Sequence, residues 1–148
     1  MAVRSLRGRS ERLIPASLEE CFAVLAGVER WPDWISTLRS LEVLESDSSG
    51  RPSRVAMEAR VLGLTLALAA TVEVTAREGV AIRRVPHGDD DPERFELVIA
   101  LADVGGGARA SAELSAQLEV PRLLPLPGVA ADQAAARVLA DLERRLRG

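Results

Sequence analysis

The sequence predicts an α+β fold in which a curved antiparallel sheet of seven strands wraps around a long C-terminal helix. Apolar and polar residues alternate with period two over most of residues 41–118, a pattern typical of strands with one dry and one wet face. Two short helical patterns follow the first strand, and another helical pattern ends the chain. The 148 residues suffice for one domain, which we expect to span 1–148.

The first strand is predicted from about Val3 to Ile14, and a short helix follows it. Ser17 can cap the free N–H groups of this helix, and Glu20, three residues later, completes a capping box. Gly27 is predicted to end this helix. A second short helix or turn is predicted over residues 28–35. The buried stripe of the first helix is predicted from helical spacing and comprises Leu18, Cys21, Phe22 and Leu25.

The inner face of the predicted sheet is mainly Leu, Val, Ile and Ala. Its longest apolar stretch alternates from Leu64 to Val74, between a turn at Gly63 and a turn at residues 78–79. In the last strand the inner positions are mostly alanines, which leave room for a cavity but also suit close contact with a helix. The sequence leaves an open cavity and a filled core as alternatives.

A proline-rich connector over residues 121–128 leads into the last helix, which is predicted to begin at about Val129. Four charged residues of this helix are predicted to lie away from its apolar stripe: Asp132, Arg137, Asp141 and Arg144. The stripe itself is predicted to consist of Ala131, Ala135, Val138, Leu142 and Leu146.

Composition excludes several classes of function. The formal net charge is −3, which argues against a general nucleic-acid binder. All 19 basic residues are arginine, so Schiff-base lysine chemistry is impossible. The single histidine, His87, excludes a metal site built from several histidines. A lone cysteine, Cys21, fits a reducing cytoplasm. No segment is apolar and long enough to span a bilayer, and we expect no cofactor.

Two local motifs resemble the START-like, or SRPBCC, superfamily, and especially its polyketide cyclase/dehydrase and lipid-transport branch. The motifs are Ile14-Pro15-Ala16-Ser17 continuing to Leu25, and Trp31-Pro32-Asp33-Trp34. The resemblance implies the helix-grip fold, with a cavity between the sheet and the last helix. Relatives bind sterols, lipids, quinones or polyketides in that space, and some are aromatase/cyclases.

Nine residues are predicted to contact a ligand. The indoles of Trp31 and Trp34 offer large flat apolar surfaces. Arg84 shares strand parity with inward residues, so it should reach the rim or meet an acidic group, whereas Arg60 has the parity of the wet face. Gln133 is predicted to face the cavity from the last helix. The apolar candidates, taken from the inner faces of the strands, are Met57, Leu66, Leu68, Phe95 and Leu97.

No catalytic or metal-binding signature is present in the sequence. The acidic run at residues 89–91 lacks the spacing of a calcium loop, and Cys21 is predicted to be buried and so a poor partner for His87. The pattern favours a binding protein for an apolar small molecule. Two alternatives stay open: a polyketide aromatase/cyclase or dehydrase, which needs polar groups inside the cavity, and a protein-interaction module, such as a homodimer, without ligand.

Overall fold

The computed structural model describes residues 1–61 and 63–148, and it confirms the predicted fold class. Seven strands form one antiparallel sheet, two short helices follow the first strand, and a long helix packs on the sheet. The elements are β1 (Ala2–Ile14), α1 (Leu18–Ala26), a 3₁₀ helix (Val28–Asp33), β2 (Leu38–Ser46), β3 (Pro52–Val61), β4 (Leu64–Thr75), β5 (Gly79–Arg84), β6 (Arg94–Asp103), β7 (Ala108–Val120) and α2 (Ala130–Leu146).

The strand order is β1-β7-β6-β5-β4-β3-β2. Each strand from β2 to β6 pairs with the next strand in the chain, and β1 pairs with β7. Because β1 and β2 lie at opposite edges of the sheet, the segment between them has to cross from one edge to the other. That crossing consists of α1 and the 3₁₀ helix, and it places residues 31–38 over the inner face.

The predicted limits of α1 are confirmed. The hydroxyl oxygen of Ser17 accepts a hydrogen bond from the backbone N–H of Glu20 at 3.1 Å, and the Ser17 hydroxyl donates to the Glu20 carboxylate at 3.1 Å. These bonds satisfy one of the free N–H groups at the start of the helix. Gly27 is the C-cap. The helix therefore begins and ends where its capping residues predict.

Helix α2 approaches β1 closely at Gly8. A Cβ atom on Gly8 would lie 2.8 Å from the Cβ of Ala131 and closer still to the backbone nitrogen of Asp132. The Asp132 carboxylate accepts a hydrogen bond from the backbone N–H of Arg9 at 2.8 Å. Glycine at position 8 is thus required for the contact that fixes the first turn of α2 on the edge strand.

Four residues of the predicted apolar stripe of α2 are buried, namely Ala131, Ala135, Val138 and Leu142, and the fifth, Leu146, is half-buried against the core. Asp141, predicted to lie away from this stripe, is nevertheless fully buried. It is stabilised there by hydrogen bonds from Ser36, in the loop before β2. A helical pattern treats charged residues as solvent-facing, and it does not reveal a polar partner more than a hundred residues away in the chain.

Both alternatives for the inner face occur, at different ends of the sheet. The first alanines of β7, at positions 108, 110 and 112, are fully buried in one core cluster with Ala135, Leu139 and Leu142 of α2. Towards the other end of β7, Leu114, Ala116 and Leu118 border an open cavity. The helix is thus packed against the sheet at one end and leaves space at the other.

Candidate ligand cavity

The candidate site is a cavity of about 240 Å³ between the sheet and the first half of α2. Its walls come from strands β1 to β7, the 3₁₀ helix with the loop that follows it, and α2. Among the described residues that line it, the polar side chains other than tryptophan are Thr37, Gln133 and Arg137. The other lining side chains are aliphatic or aromatic, so the cavity is suited to burying an apolar ligand away from water.

The volume sets the size of that ligand. Small-molecule sites usually occupy about 300–1,000 Å³, so the cavity of about 240 Å³ lies just below that range. A cavity of about 150 Å³ lined by Leu, Ile and Phe holds one benzene molecule. Scaling by volume, this cavity holds about ten carbon atoms. A sterol-sized compound would have to extend through the mouth or widen the cavity.

Six of the nine predicted residues line the cavity, and they come from five separate elements. Strand parity places four apolar side chains on its wall, and the 3₁₀ helix and α2 each contribute one more residue. The six are Trp31, Met57, Leu66, Phe95, Leu97 and Gln133. Arg60 is exposed, as its parity predicts.

The two tryptophans have different positions. The indole N–H of Trp31 donates to the backbone oxygen of Leu25 at 3.0 Å, so the ring presents apolar surface to the cavity. Trp34 does not line the cavity. It packs edge-to-face against Trp31, with ring centroids 6.3 Å apart and an interplanar angle of 68°. Trp34 instead borders a separate polar groove beside Asp141 and Arg144. The motif spacing does not distinguish these two positions.

Arg84 is also outside the lining of the cavity, and its side chain is only 6 % exposed. The expectation that it meets an acidic group is confirmed, because its guanidinium donates to the Asp91 carboxylate at 2.6 Å. The backbone N–H groups of His87 and Glu93, together with Arg84, hold the pKa of Asp91 well below its ordinary value of 3.8. This cluster fixes the loop between β5 and β6 and leaves Arg84 no free role in the cavity.

Leu68 is the third predicted residue that does not line the cavity. It lies opposite Met57 in the β3–β4 register and packs against the core beside the cavity. Parity puts Leu66 and Leu68 on the same face of β4, but it does not predict where along a strand the cavity stops. That limit is set by the helices packed above the sheet.

Arg137 and Thr37 line the cavity but were not among the predicted site residues. Arg137 lies four positions after Gln133, which places both on one face of α2. Because Gln133 was predicted to face the cavity, the same spacing would have predicted Arg137 as well. Thr37 has no such signal, because it lies in the irregular loop before β2. The strand itself begins at Leu38, three residues earlier than the alternation predicts.

A polar network holds that loop to α2. The buried Asp141 carboxylate accepts hydrogen bonds from the backbone N–H of Ser36 at 2.9 Å and from its hydroxyl at 2.8 Å. Arg144 donates to the same carboxylate at 2.6 Å. The Ser36 hydroxyl oxygen accepts a further bond from Nε of Arg137 at 3.1 Å. The network therefore fixes both Thr37 and Arg137 relative to the cavity.

Cys21 has no place in the cavity lining and is fully buried. Burial, with a smaller contribution from Glu20, raises the pKa of its thiol above the ordinary value. A neutral, enclosed thiol is a poor nucleophile. Within residues 1–61 and 63–148, no group of three or more His, Cys, Asp or Glu side chains is arranged to hold a metal ion. In the same residues, none of the helices has the length and hydropathy needed to cross a membrane.

Comparison with known proteins identifies relatives along nearly the whole chain. The profile of the family described as "Polyketide cyclase / dehydrase and lipid transport" matches residues 14–147, and no curated protein matches the chain. A START superfamily protein from Mycobacterium smegmatis has 16% identity and a TM-score of 0.76, covering 95% of this chain and 97% of that chain. The protein TTHA0849 from Thermus thermophilus has 20% identity and a TM-score of 0.77, with the same coverage.

A third similar structure is the di-domain ARO/CYC BexL from the BE-7585A biosynthetic pathway. It has 11% identity and a TM-score of 0.70, and the match covers 97% of this chain and 50% of that chain. At these identities the structures establish a shared fold, and a shared fold does not establish a shared activity.

Proposed function

We propose, from the premise that this chain belongs to the polyketide cyclase/dehydrase and lipid transport family, that it binds an apolar small molecule of about ten carbon atoms. The observation that carries the proposal is the apolar cavity of about 240 Å³ between the sheet and α2. The words "lipid transport" in the family description support the proposal that the ligand is apolar, and the cavity volume supports the proposal that it is small.

Burial of apolar surface supplies most of the proposed affinity. Each buried CH₂ group contributes about 0.8 kcal/mol, so about ten carbon atoms contribute about 8 kcal/mol before the costs of association. A net binding free energy of about 8 kcal/mol corresponds to a dissociation constant of about 1 μM. Since association and ordering costs reduce this value, we expect dissociation constants well above 1 μM for simple apolar probes.

The composition of the cavity favours binding over cyclisation or dehydration. Those reactions need a positioned group that takes up or releases a proton near neutral pH. The polar side chains among the described lining residues are a threonine, a glutamine and an arginine, together with the indole of Trp31. None of these residue types ordinarily exchanges a proton near pH 7. Thr37, Gln133 and Arg137 are instead suited to orienting a ligand by hydrogen bonds.

A titration with 1-octanol, 1-decanol and 1-tetradecanol, followed by tryptophan emission and by calorimetry, tests the proposal. Trp31 lines the cavity, so a bound probe should change its emission. We expect 1-decanol to bind more tightly than 1-octanol because it buries two more CH₂ groups. 1-Tetradecanol should gain little more, because the cavity holds only about ten carbon atoms. Native mass spectrometry of protein purified without detergent would reveal a co-purifying natural ligand.

A matched pair of substitutions on α2 locates the binding. Ala134 lines the cavity, whereas Ala136, on the same helix, does not. Ala134→Phe should fill the space and weaken 1-decanol binding at least about tenfold, which corresponds to about 1.4 kcal/mol, while Ala136→Phe should leave binding unchanged. Equal binding by both variants, or no binding of any probe to the wild-type protein, would overturn the proposal.

A further inference from the structure

We propose that the ligand of this cavity carries a carboxylate at its outer end and that Arg137 binds it. The inference rests on the proposed function and specifies its ligand as an amphipathic acid with an apolar body of about ten carbon atoms. It follows from the position of the polar lining residues, the geometry of Arg137 and the charge around it.

The polar lining residues are placed to meet one end of a ligand. Gln133 and Arg137 are one helical turn apart on α2, and both are exposed to solvent while also lining the cavity. Thr37 lines the cavity from the loop to which Arg137 is bonded. A ligand that fills the apolar interior would therefore leave its polar end beside these three side chains.

Arg137 is held in one orientation. Its Nε donates to the Ser36 hydroxyl oxygen at 3.1 Å, and that hydroxyl donates in turn to the buried Asp141 carboxylate at 2.8 Å. Within residues 1–61 and 63–148, the two terminal nitrogens of Arg137 have no hydrogen-bond acceptor. A guanidinium anchored through Nε retains an edge of two parallel donors, which matches the two oxygens of a carboxylate.

The positive charge of Arg137 is only partly balanced. Asp141 lies 3.8 Å from its Nε, but the same carboxylate is in contact with Arg144 at 2.6 Å. One buried negative charge is thus shared by two arginines. An anionic group on the ligand would supply the missing negative charge, whereas a neutral alcohol would supply only a hydrogen-bond acceptor.

The test compares decanoate, which is ionised at neutral pH, with 1-decanol, which has the same carbon chain and no charge. Arg137→Gln removes the charge and keeps a hydrogen-bonding side chain. Arg145→Gln is the matched control, because Arg145 is exposed on the same helix and does not line the cavity. Calorimetry at low and high KCl concentration gives the affinity of each probe for each variant.

We expect Arg137→Gln to weaken decanoate binding about fivefold to tenfold, a modest factor because the side chain is 62 % exposed to solvent. Binding of 1-decanol should weaken by about twofold or less, because glutamine still offers the neutral hydroxyl a hydrogen-bond donor, and retained 1-decanol binding also shows that the variant is folded. Arg145→Gln should affect neither probe. Added KCl should weaken decanoate binding to the wild-type protein and to Arg145→Gln, and should have little effect on decanoate binding to Arg137→Gln.

Two outcomes separate this inference from the proposed function. If the two variants bind decanoate equally and both bind 1-decanol, the assignment to Arg137 is refuted and apolar binding stands. If neither probe binds the wild-type protein, the apolar-ligand function fails, and the inference fails with it.

Discussion

The network around Asp141 allows a quantitative prediction about stability. Its fully buried carboxylate accepts two hydrogen bonds from Ser36 and one from Arg144. A hydrogen bond to a charged group contributes about 1.5–3 kcal/mol, so Asp141→Ala should lose about 3–6 kcal/mol through the two bonds to Ser36. Arg144 adds little because its side chain is 63 % exposed and exposed ion pairs are worth about 0–1 kcal/mol.

A double-mutant cycle with Ser36 isolates the interaction. Ser36→Ala removes the hydroxyl bond and keeps the bond from the backbone N–H, so by itself it should cost about 1.5–2 kcal/mol. In the Asp141→Ala background the hydroxyl has lost its acceptor, so the same change should cost about 0.5 kcal/mol or less, giving a coupling of about 1–1.5 kcal/mol. Urea unfolding followed by circular dichroism measures all four proteins.

The control is Arg144→Gln, which alters the exposed partner of the same carboxylate and should cost less than about 1 kcal/mol. If the effects of Ser36→Ala and Asp141→Ala are additive within about 0.5 kcal/mol, Asp141 does not fix the loop before β2, and the reasoning is refuted. A coupling as predicted would show that the buried carboxylate positions the cavity residues on that loop.

Three further predictions follow from single residues. Gly8→Ala should destabilise the protein by more than about 2 kcal/mol, measured by urea unfolding, because the new Cβ would overlap Ala131 and the backbone of Asp132; an unchanged stability would disprove the close approach of α2. The pKa of Asp91 lies below its ordinary value of 3.8, so the stability that its carboxylate contributes is complete above pH 3.8 and is lost as the pH falls below that value. In thermal unfolding, Asp91→Asn should therefore lose less stability in acid than the wild-type protein. Identical acid profiles would contradict the role of the loop cluster. Burial raises the pKa of the Cys21 thiol, so Cys21 should react with iodoacetamide far more slowly in the native protein than in the urea-unfolded protein. Mass spectrometry measures both rates, and comparable rates would show that Cys21 is accessible in the native protein.

The fold was predictable because each strand carries its own signal. Alternation identifies which side chains point inward. A one-residue error in register would turn every apolar side chain of a strand to the wet face, so the register of long strands such as β4 and β7 is strongly determined. Capping residues identify α1 equally well, since Ser17 and Gly27 act through neighbours in the chain. The order from β2 to β7 then follows from hairpin connections between successive strands, whereas the pairing of β1 with β7 joins the two ends of the sheet sequence.

The candidate site was predictable only in part, because a cavity depends on contacts between distant segments. Parity identified Phe95 and Leu97 but could not separate Leu66, which lines the cavity, from Leu68, which does not. Arg84 has the right parity and is nevertheless held by Asp91, a neighbour across a loop. Each of these outcomes is decided by packing between elements, which periodicity within one element does not encode.

The cavity itself favours a ligand-binding role over a purely structural or interaction role. Unfilled volume costs about 24 cal/mol per Å³, so a cavity of about 240 Å³ costs up to about 6 kcal/mol, against a typical total stability of about 5–15 kcal/mol. Larger side chains in place of Ala116 or Ala134 would remove much of this cost. Both positions are alanine. Helix α2 is held by the contact of its first turn with Gly8 and by the hydrogen bonds of Asp141 in its second half, so it cannot move towards the sheet and close the cavity. A domain that only presented its surface to a partner would gain stability from a filled core, whereas a domain that encloses a ligand regains the stability when the ligand binds.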